Sequence, residues 1–147
     1  MTWLLDTNVL SETTRPRPNN SVIEWIESRA PSDLYLSVLT VGELIRGARK
    51  LKESNRRIQL ERWIEQDLSR QFEGRVLVYD YTAAMIWGQL MGDGDRHGQT
   101  PSAADAQIAA LAIRHQMILV TRNEKDFLRF ENLKLLNPWR TQDNNHH

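Results

Sequence analysis

Short segments that are apolar throughout, rather than alternately apolar and polar, most constrain the fold of this chain. They lie at residues 3–5, 34–38, 75–79, 117–121 and 133–136. Strands that are apolar on both sides must be buried on both sides, which is the environment of a parallel sheet covered by helices on each face. The sequence therefore predicts an α/β protein, a three-layer α/β/α domain with a central parallel sheet of four to five strands.

Helical patterns separate these strands. The first predicted helix begins at Thr7, and the second occupies residues 19–30. The segment that starts with a helix at Thr40 predicts a helical hairpin inserted between two strands, with a second arm over about residues 56–72. In that arm Ile58 is among the apolar residues expected to face inward.

Two further helices follow the third strand. Asp80 or Thr82 can cap the first of them, which we expect to end in a glycine-rich loop at residues 92–98. Pro101 introduces the second. The Asp93-Gly94-Asp95 part of the loop resembles the start of a calcium-binding loop, but the residues that follow break that motif and favour a solvated turn.

The amino-acid composition restricts the classes of function that the chain can have. The chain has 147 residues, a formal net charge of +0 and no cysteine. Its length suits a single domain, which we place at residues 1–140, followed by a tail at 141–147 that resembles an expression-tag remnant. Neutrality leaves nucleic-acid binding to a local patch or to metal ions. No segment reaches membrane-spanning length and no leader pattern opens the chain, so we expect a cytoplasmic protein without a membrane partner.

Carboxylates and amides recur where predicted strands give way to helices. Asp6 and Asn123 follow strands, whereas Glu43 and Asp105 lie in first helical turns, and Asp126 follows shortly after Asn123. Polar sites in such sheets collect beyond the carboxyl ends of the strands, so these side chains can share one crevice. Each acid also has a structural reading: Asp6 as a helix cap, Glu43 and Asp105 as capping-box residues after Thr40 and Ser102.

Acids gathered in one crevice repel one another unless a cation neutralises them. Oxygen ligands without cysteine or a histidine pair favour Mg²⁺ or Mn²⁺. Such an ion is suited to phosphodiester hydrolysis. Arg46 and Arg49, on one helix with Glu43, and Arg122 beside the crevice can contact phosphates. A solvated helix face explains Arg46 and Arg49 equally well.

Five sequence segments together resemble the PIN-domain ribonucleases, specifically the VapC toxins of type II toxin–antitoxin systems and their FitB-like branch. The segments are residues 4–12, 36–44, 104–110, 120–123 and 137–139. The resemblance covers nearly the whole chain. It implies a PIN domain that acts as a Mg²⁺- or Mn²⁺-dependent endoribonuclease, forms a homodimer, and is inhibited by a VapB-type antitoxin in a complex that binds operator DNA.

The resemblance also implies roles for individual residues. Asp6, Glu43 and Asp105 match the metal-binding catalytic acids, and Thr7 matches a hydroxyl residue beside the metal. Asn123 stands where many members have a fourth acid. Its carbonyl oxygen can ligate without adding charge, and Asp126 is the alternative, so the resemblance leaves one metal or two open.

Two other functions compete with this hypothesis. A phosphatase of the haloacid dehalogenase type also places an acid after its first strand, but it requires D-x-D and this chain has Asn8 at the third position. The other alternative is a catalytically weak module that binds antitoxin or DNA.

Overall fold

A computed structural model describes residues 1–140, and the predicted tail with its tag remnant lies outside them. The centre is a parallel five-stranded sheet in the order β3-β2-β1-β4-β5. Its strands are β1 (Trp3–Leu5), β2 (Leu34–Ser37), β3 (Val76–Leu77), β4 (Ile118–Val120) and β5 (Leu135–Leu136). The predicted parallel sheet is confirmed, although every strand except β1 is shorter than the apolar segment that indicated it.

Helices cover both faces of the sheet. They are α1 (Thr7–Thr13), α2 (Asn20–Glu27), α3 (Val38–Arg49), α4 (Asn55–Arg62), α5 (Ser69–Gln71), α6 (Tyr81–Arg96), α7 (Ala103–His115) and α8 (Glu124–Phe127). A π-helical segment, Trp63–Leu68, joins α4 to α5, and short 3-10 turns occupy Pro31–Asp33 and Pro138–Arg140. No helix in residues 1–140 is long and apolar enough to cross a membrane.

Side chains of β1 point alternately into two separate cores, which explains why the strand is apolar at every position. Trp3 and Leu5 pack with residues of α1, α2, α3 and the π segment. Leu4 packs on the other face with residues of α6, α7 and α8, including Leu111 and Phe127. Both faces of the strand are therefore buried, and the three-layer α/β/α architecture is confirmed.

The helical hairpin is present, with α3 as its first arm and residues 55–71 as its second. Ile64 and Leu68 are buried against the core, as expected from the apolar spacing. The inward assignment of Ile58 was wrong, because its side chain is 54% exposed. Ile58 lies in α4 ahead of the π segment, and the extra residue per turn in such a segment shifts the buried stripe around the helix.

Helix α3 begins earlier than predicted. Ser37 is its N-cap, and the Ser37 hydroxyl accepts a hydrogen bond of 3.1 Å from the backbone N–H of Thr40. The expected capping box, with Thr40 as the cap and Glu43 as its acid, is therefore wrong. The sequence offers two hydroxyl residues three positions apart, and Ser37 wins because β2 runs directly into the helix. Glu43 is consequently not needed for capping.

The predicted glycine-rich loop is also wrong, since α6 continues through residues 92–96 to Arg96. Glycine in a helix costs only about 1 kcal/mol relative to alanine, which packing can offset. Gly94 is required by close approach: a Cβ there would lie 2.6 Å from Pro101 Cδ and 2.7 Å from the Gln99 carbonyl oxygen. The connection to α7 thus folds back against the last turn of α6, and neither a calcium loop nor a solvated turn forms at residues 93–95.

Replacing Ser37 by alanine tests the cap of α3. We expect Ser37→Ala to lower the free energy of unfolding by about 1 kcal/mol, because a buried N-terminal N–H loses its acceptor. Urea denaturation followed by circular dichroism measures the change. Ser32→Ala, at an exposed serine, is the control and should stay within about 0.5 kcal/mol of the parent. Equal stabilities for Ser37→Ala and the control would contradict this account of α3.

Candidate metal-dependent active site

The candidate site lies where the order of the strands reverses. Strands β2 and β3 are on one side of β1, and β4 and β5 are on the other, so the loops after β1 and β4 diverge and leave a crevice. A cavity of about 570 Å³ opens there. Its lining includes all three predicted acids together with Arg122 and Asn123. The lining residues are Asp6, Thr7, Asn8, Ser11, Glu12, Arg15, Glu43, Asp105, Arg122, Asn123 and Trp139.

Asp6 is the most deeply buried of the three predicted acids, with only 8% of its surface exposed. Its backbone N–H donates to Val120 on β4 at 2.9 Å, which continues the pairing of the two central strands. Its Oδ1 accepts from the Thr7 backbone N–H at 2.8 Å, so Asp6 also caps α1 as its position suggested. Its Oδ2 accepts from the Thr121 hydroxyl at 2.8 Å and from the Asn8 amide at 3.4 Å.

Burial raises the pKa of Asp6 to about 6, although the hydrogen bonds from Thr121 and Thr7 lower it. The charges of Glu43 and Asp105 raise it further. The predicted convergence of the three carboxylates on one crevice is therefore present in the electrostatics as well as in the cavity lining. The charges of Glu43 and Asp105 make ionisation of Asp6 less favourable, which is the condition that a bound cation would relieve.

Glu43 projects from the second turn of α3 and is held by a chain of hydroxyl groups. The Thr7 hydroxyl lies 3.1 Å from Glu43 Oε1 and 3.1 Å from the Thr40 hydroxyl, both of which can accept its single proton. The Thr40 hydroxyl in turn lies 3.4 Å from that of Ser37. Thr7 therefore contacts Asp6 through its backbone and Glu43 through its side chain.

Asp105 reaches the cavity from the first turn of α7. Ser102 caps this helix, and its hydroxyl accepts from the Asp105 backbone N–H at 3.0 Å, as the serine half of the predicted capping box requires. Partial burial raises the pKa of Asp105, and the charge of Asp126 raises it further. Asp126 thus acts on Asp105 electrostatically, but it is not part of the cavity lining, whereas Asn123 is.

The basic residues singled out in the sequence fall into two groups. Arg122 lines the cavity: its backbone N–H donates to Asn8 Oδ1 at 3.3 Å, and its guanidinium lies 5.1 Å from the centre of the Trp139 ring. Arg46 and Arg49 are exposed near the end of α3, outside the lining. Arg49 is paired with Glu61 at 3.5 Å.

The donor chemistry of the cavity fits a hard divalent cation in an open arrangement. Within residues 1–140, no three histidine or acidic side chains form a ready-made metal-ligand cluster. Asp6, Glu43 and Asp105 nevertheless line one cavity, the charges of Glu43 and Asp105 raise the pKa of Asp6, and all the donor atoms of the three side chains are oxygens. Mg²⁺ keeps several of its waters and uses few protein carboxylates, so an open set of acids suits it.

Sequence reasoning missed several residues of the cavity. Asn8 and Thr121 connect β1 to β4 by a hydrogen bond of 3.3 Å, and Thr121 also accepts from the Asn123 backbone N–H at 3.1 Å. Glu12 and Arg15 were overlooked as well, although the helical spacing of residues 8, 11 and 12 places them on one face of α1 and Arg15 continues that spacing just beyond the end of the helix. That spacing was the available signal. Trp139 lies in the segment 137–139 that resembles the family, but no spacing rule places it at the cavity, because its position depends on the return of the chain after β5.

Comparisons with known proteins agree with this geometry. The PIN domain family profile matches residues 3–133. The chain belongs to the PIN-domain family. It is 38% identical to toxin FitB of Neisseria gonorrhoeae over 136 residues, which cover 92% of this chain and 97% of FitB. It is 34% identical to VapC ribonuclease Y4jK of Sinorhizobium fredii, with 92% and 96% covered. This PIN-domain protein thus belongs with the FitB and VapC toxins.

A solved structure supports the same grouping. The structure of FitAB bound to an IR36 DNA fragment contains a chain that matches with a TM-score of 0.86 and 38% sequence identity. The match covers 94% of this PIN-domain protein and 96% of that chain. The expected membership of the FitB-like branch is therefore confirmed.

The raised pKa of Asp6 predicts a pH-dependent stability in protein free of divalent cations. Between about pH 4 and pH 6 the folded protein holds a proton that the unfolded chain has released, so rising pH favours unfolding. Relative to Asp6→Asn, the wild type should lose about 3 kcal/mol across this interval and little more above it. Urea denaturation at successive pH values, with EDTA present, measures the difference. Parallel pH curves for the two proteins would contradict the burial effect.

Proposed function

We propose that this PIN-domain protein is the toxin of a toxin–antitoxin pair and hydrolyses RNA phosphodiester bonds as a Mg²⁺- or Mn²⁺-dependent endoribonuclease. The observation that carries the proposal is the meeting of Asp6, Glu43 and Asp105 in one cavity at the carboxyl edge of the sheet. The naming of the relatives as toxin FitB and VapC ribonuclease supports the class of reaction.

The three acids would hold the cation. A divalent cation bound there supplies positive charge against the scissile phosphate and lowers the pKa of a water molecule that can act as the nucleophile. The protein supplies position: Thr7 and Thr121 fix the two oxygens of Asp6, and the Thr7 hydroxyl fixes Glu43. Because these bonds lock the carboxylates before substrate arrives, no reorganisation is needed when charge develops on the phosphate.

Phosphate contacts come from the rim of the cavity. Arg122 is the basic residue we favour, because it lies in the lining and is steadied by Trp139. Thr7 contributes a hydroxyl beside the acids. Arg46 and Arg49 remain in the proposal as contacts for RNA that extends along α3, outside the cavity. In that role the Arg49 guanidinium would contact both the RNA and Glu61.

The partners follow from the same relatives. We propose a VapB-type antitoxin that binds and inhibits this protein, in a complex that engages operator DNA, as the FitAB structure with its DNA fragment suggests. Homodimerisation, a cytoplasmic location and a single PIN domain over residues 1–140 complete the proposal.

Loss of any of the three acids should abolish cleavage. We expect Asp6→Asn, Glu43→Gln and Asp105→Asn each to lower RNA cleavage at least about 100-fold with Mg²⁺ present, since charge stabilisation by a metal contributes several kcal/mol. EDTA should reduce the wild type to the same level. Gel analysis of an RNA panel, with isothermal titration of Mn²⁺ into each protein, measures activity and metal binding together.

Glu27→Gln is the matched control, because Glu27 is an exposed acid at the end of α2, away from the cavity lining. It should retain wild-type cleavage and metal affinity. Activity that survives EDTA and all three substitutions would exclude the metal mechanism. Absence of both cleavage and metal binding in the wild type would favour the alternative of a module that only binds antitoxin or DNA.

Asn123 and Asp126 can be separated as sources of a fourth ligand. We expect Asn123→Asp to tighten Mn²⁺ binding about tenfold or more, because it adds a charge to the cavity itself. Asp126→Asn should change the affinity less, since Asp126 lies outside the lining and acts only on Asp105. Isothermal titration of both variants measures the difference. A larger effect from Asp126→Asn would identify Asp126 as the ligand.

A further inference from the structure

A second arginine, Arg15, lies at the cavity. It comes from the segment after β1, whereas Arg122 comes from the segment after β4. Arg15 follows the end of α1, and its backbone N–H donates to the Glu12 carbonyl at 3.2 Å, so the helical path continues to it. Its side chain lines the same cavity as the three acids and is 62% exposed. The proposed reaction assigns it no role.

A buried carboxylate fixes the position of this arginine. Glu12 is only 6% exposed, and its Oε1 pairs with Arg15 Nη1 at 3.2 Å. Its Oε2 accepts from the backbone N–H of Asn19, the N-cap of α2, at 2.8 Å. Glu12 is thus held by the start of α2, and it cannot turn toward the cavity to act as a further metal ligand without breaking that bond.

The end of α1 is fixed from a second side as well. Arg56, at the start of the second hairpin arm, donates to the Thr14 carbonyl at 3.1 Å. Two elements therefore hold the segment that carries Arg15, so its guanidinium is presented from a rigid support. Such preorganisation lowers the entropy that a ligand contact must overcome.

The guanidinium retains capacity for a ligand. It carries five N–H donors in a fixed fork, and within residues 1–140 its ion pair with Glu12 uses one of them. The other edge is open to solvent, where the fork matches two oxygens of a phosphate. Because Glu12 is buried, this ion pair also compensates its carboxylate, and the remaining donors of Arg15 stay available to a ligand.

We propose that Arg15 binds a backbone phosphate of the RNA next to the scissile one, and that Glu12 positions it. This inference rests on the proposed function. Arg15 and Arg122 come from the segments after β1 and β4, the two central strands, so both segments supply a phosphate contact to one cavity that holds the acids. The RNA backbone is thereby held in register over the three carboxylates.

The test compares Arg15→Gln with Arg17→Gln. Glutamine offers an amide donor in the direction of Glu12 while it removes the positive charge. Arg17 is exposed two residues further along and is not in the cavity lining, which makes it the matched control. We expect Arg15→Gln to raise KM for a single-stranded RNA about tenfold with kcat nearly unchanged, and Arg17→Gln to change neither.

Salt dependence gives a second readout. Fluorescence anisotropy of the same RNA, bound to proteins that also carry Asp6→Asn to prevent cleavage, should show a slope of log K against log salt that is smaller by about 0.7 for Arg15→Gln. Glu12→Gln should raise KM while keeping the wild-type slope, because the arginine charge remains but is no longer fixed. Arg15→Lys should keep the slope and recover part of the affinity.

The outcomes separate the two proposals. If the wild type cleaves RNA and Arg15→Gln matches Arg17→Gln in both KM and salt slope, the assignment of Arg15 is overturned while the nuclease stands. A fall in melting temperature without a change in slope overturns it too, because the role is then structural. If the wild type neither binds nor cleaves RNA, the proposed function fails and this inference fails with it.

Discussion

Burial of the Asp6 carboxylate between the two central strands is the constraint on which the site depends. Asp6 ends β1, yet its hydrogen bonds reach across to Thr121 at the end of β4 and forward to the first N–H of α1. A buried carboxylate must have its lone pairs satisfied or it destabilises the fold. The hydrogen bonds that satisfy the buried Asp6 carboxylate also fix the two loops that form the crevice at the strand reversal. The shape of the crevice therefore depends on these bonds.

Hydroxyl side chains around Asp6 connect it to Glu43 and to the start of α3. Thr7, Thr40 and Ser37 form a continuous set of contacts that ends at Glu43 and at the cap of α3. Thr121 is connected to this set through the Asp6 carboxylate. Hydroxyl groups suit this position because they both donate and accept, so each can serve a carboxylate on one side and a helix terminus on the other. Capping and site geometry are consequently one network, and a change in a cap is transmitted to an acid.

Sequence patterns predicted the layers and the three acids but not the network. The fully apolar segment at residues 3–5 required burial on both sides, and that requirement alone placed Asp6 at the edge of a parallel sheet. The start of α3 was misjudged because two hydroxyl residues compete as caps, and the choice depends on where β2 stops pairing. The continuation of α6 through Gly94 was hidden for a similar reason. A glycine lowers helix propensity, so the local sequence argues against a helix here. Glycine is required because Pro101 and Gln99 approach Gly94 closely, and this contact exists only in the folded structure.

Electrostatic balance explains how a neutral chain can carry a site for a polyanion. Carboxylates gather in the cavity, so in the proposed function they repel RNA until a metal ion binds, and positively charged side chains at the rim come from other parts of the chain. Arg122 packs against an aromatic ring and Arg15 pairs with a buried acid. Each guanidinium is therefore held in place without these contacts using all of its N–H donors. Arg49, by contrast, forms an ion pair with Glu61 on an exposed surface. In the proposed function, this arrangement makes phosphate binding local and dependent on a metal ion, although the net charge of the molecule is zero.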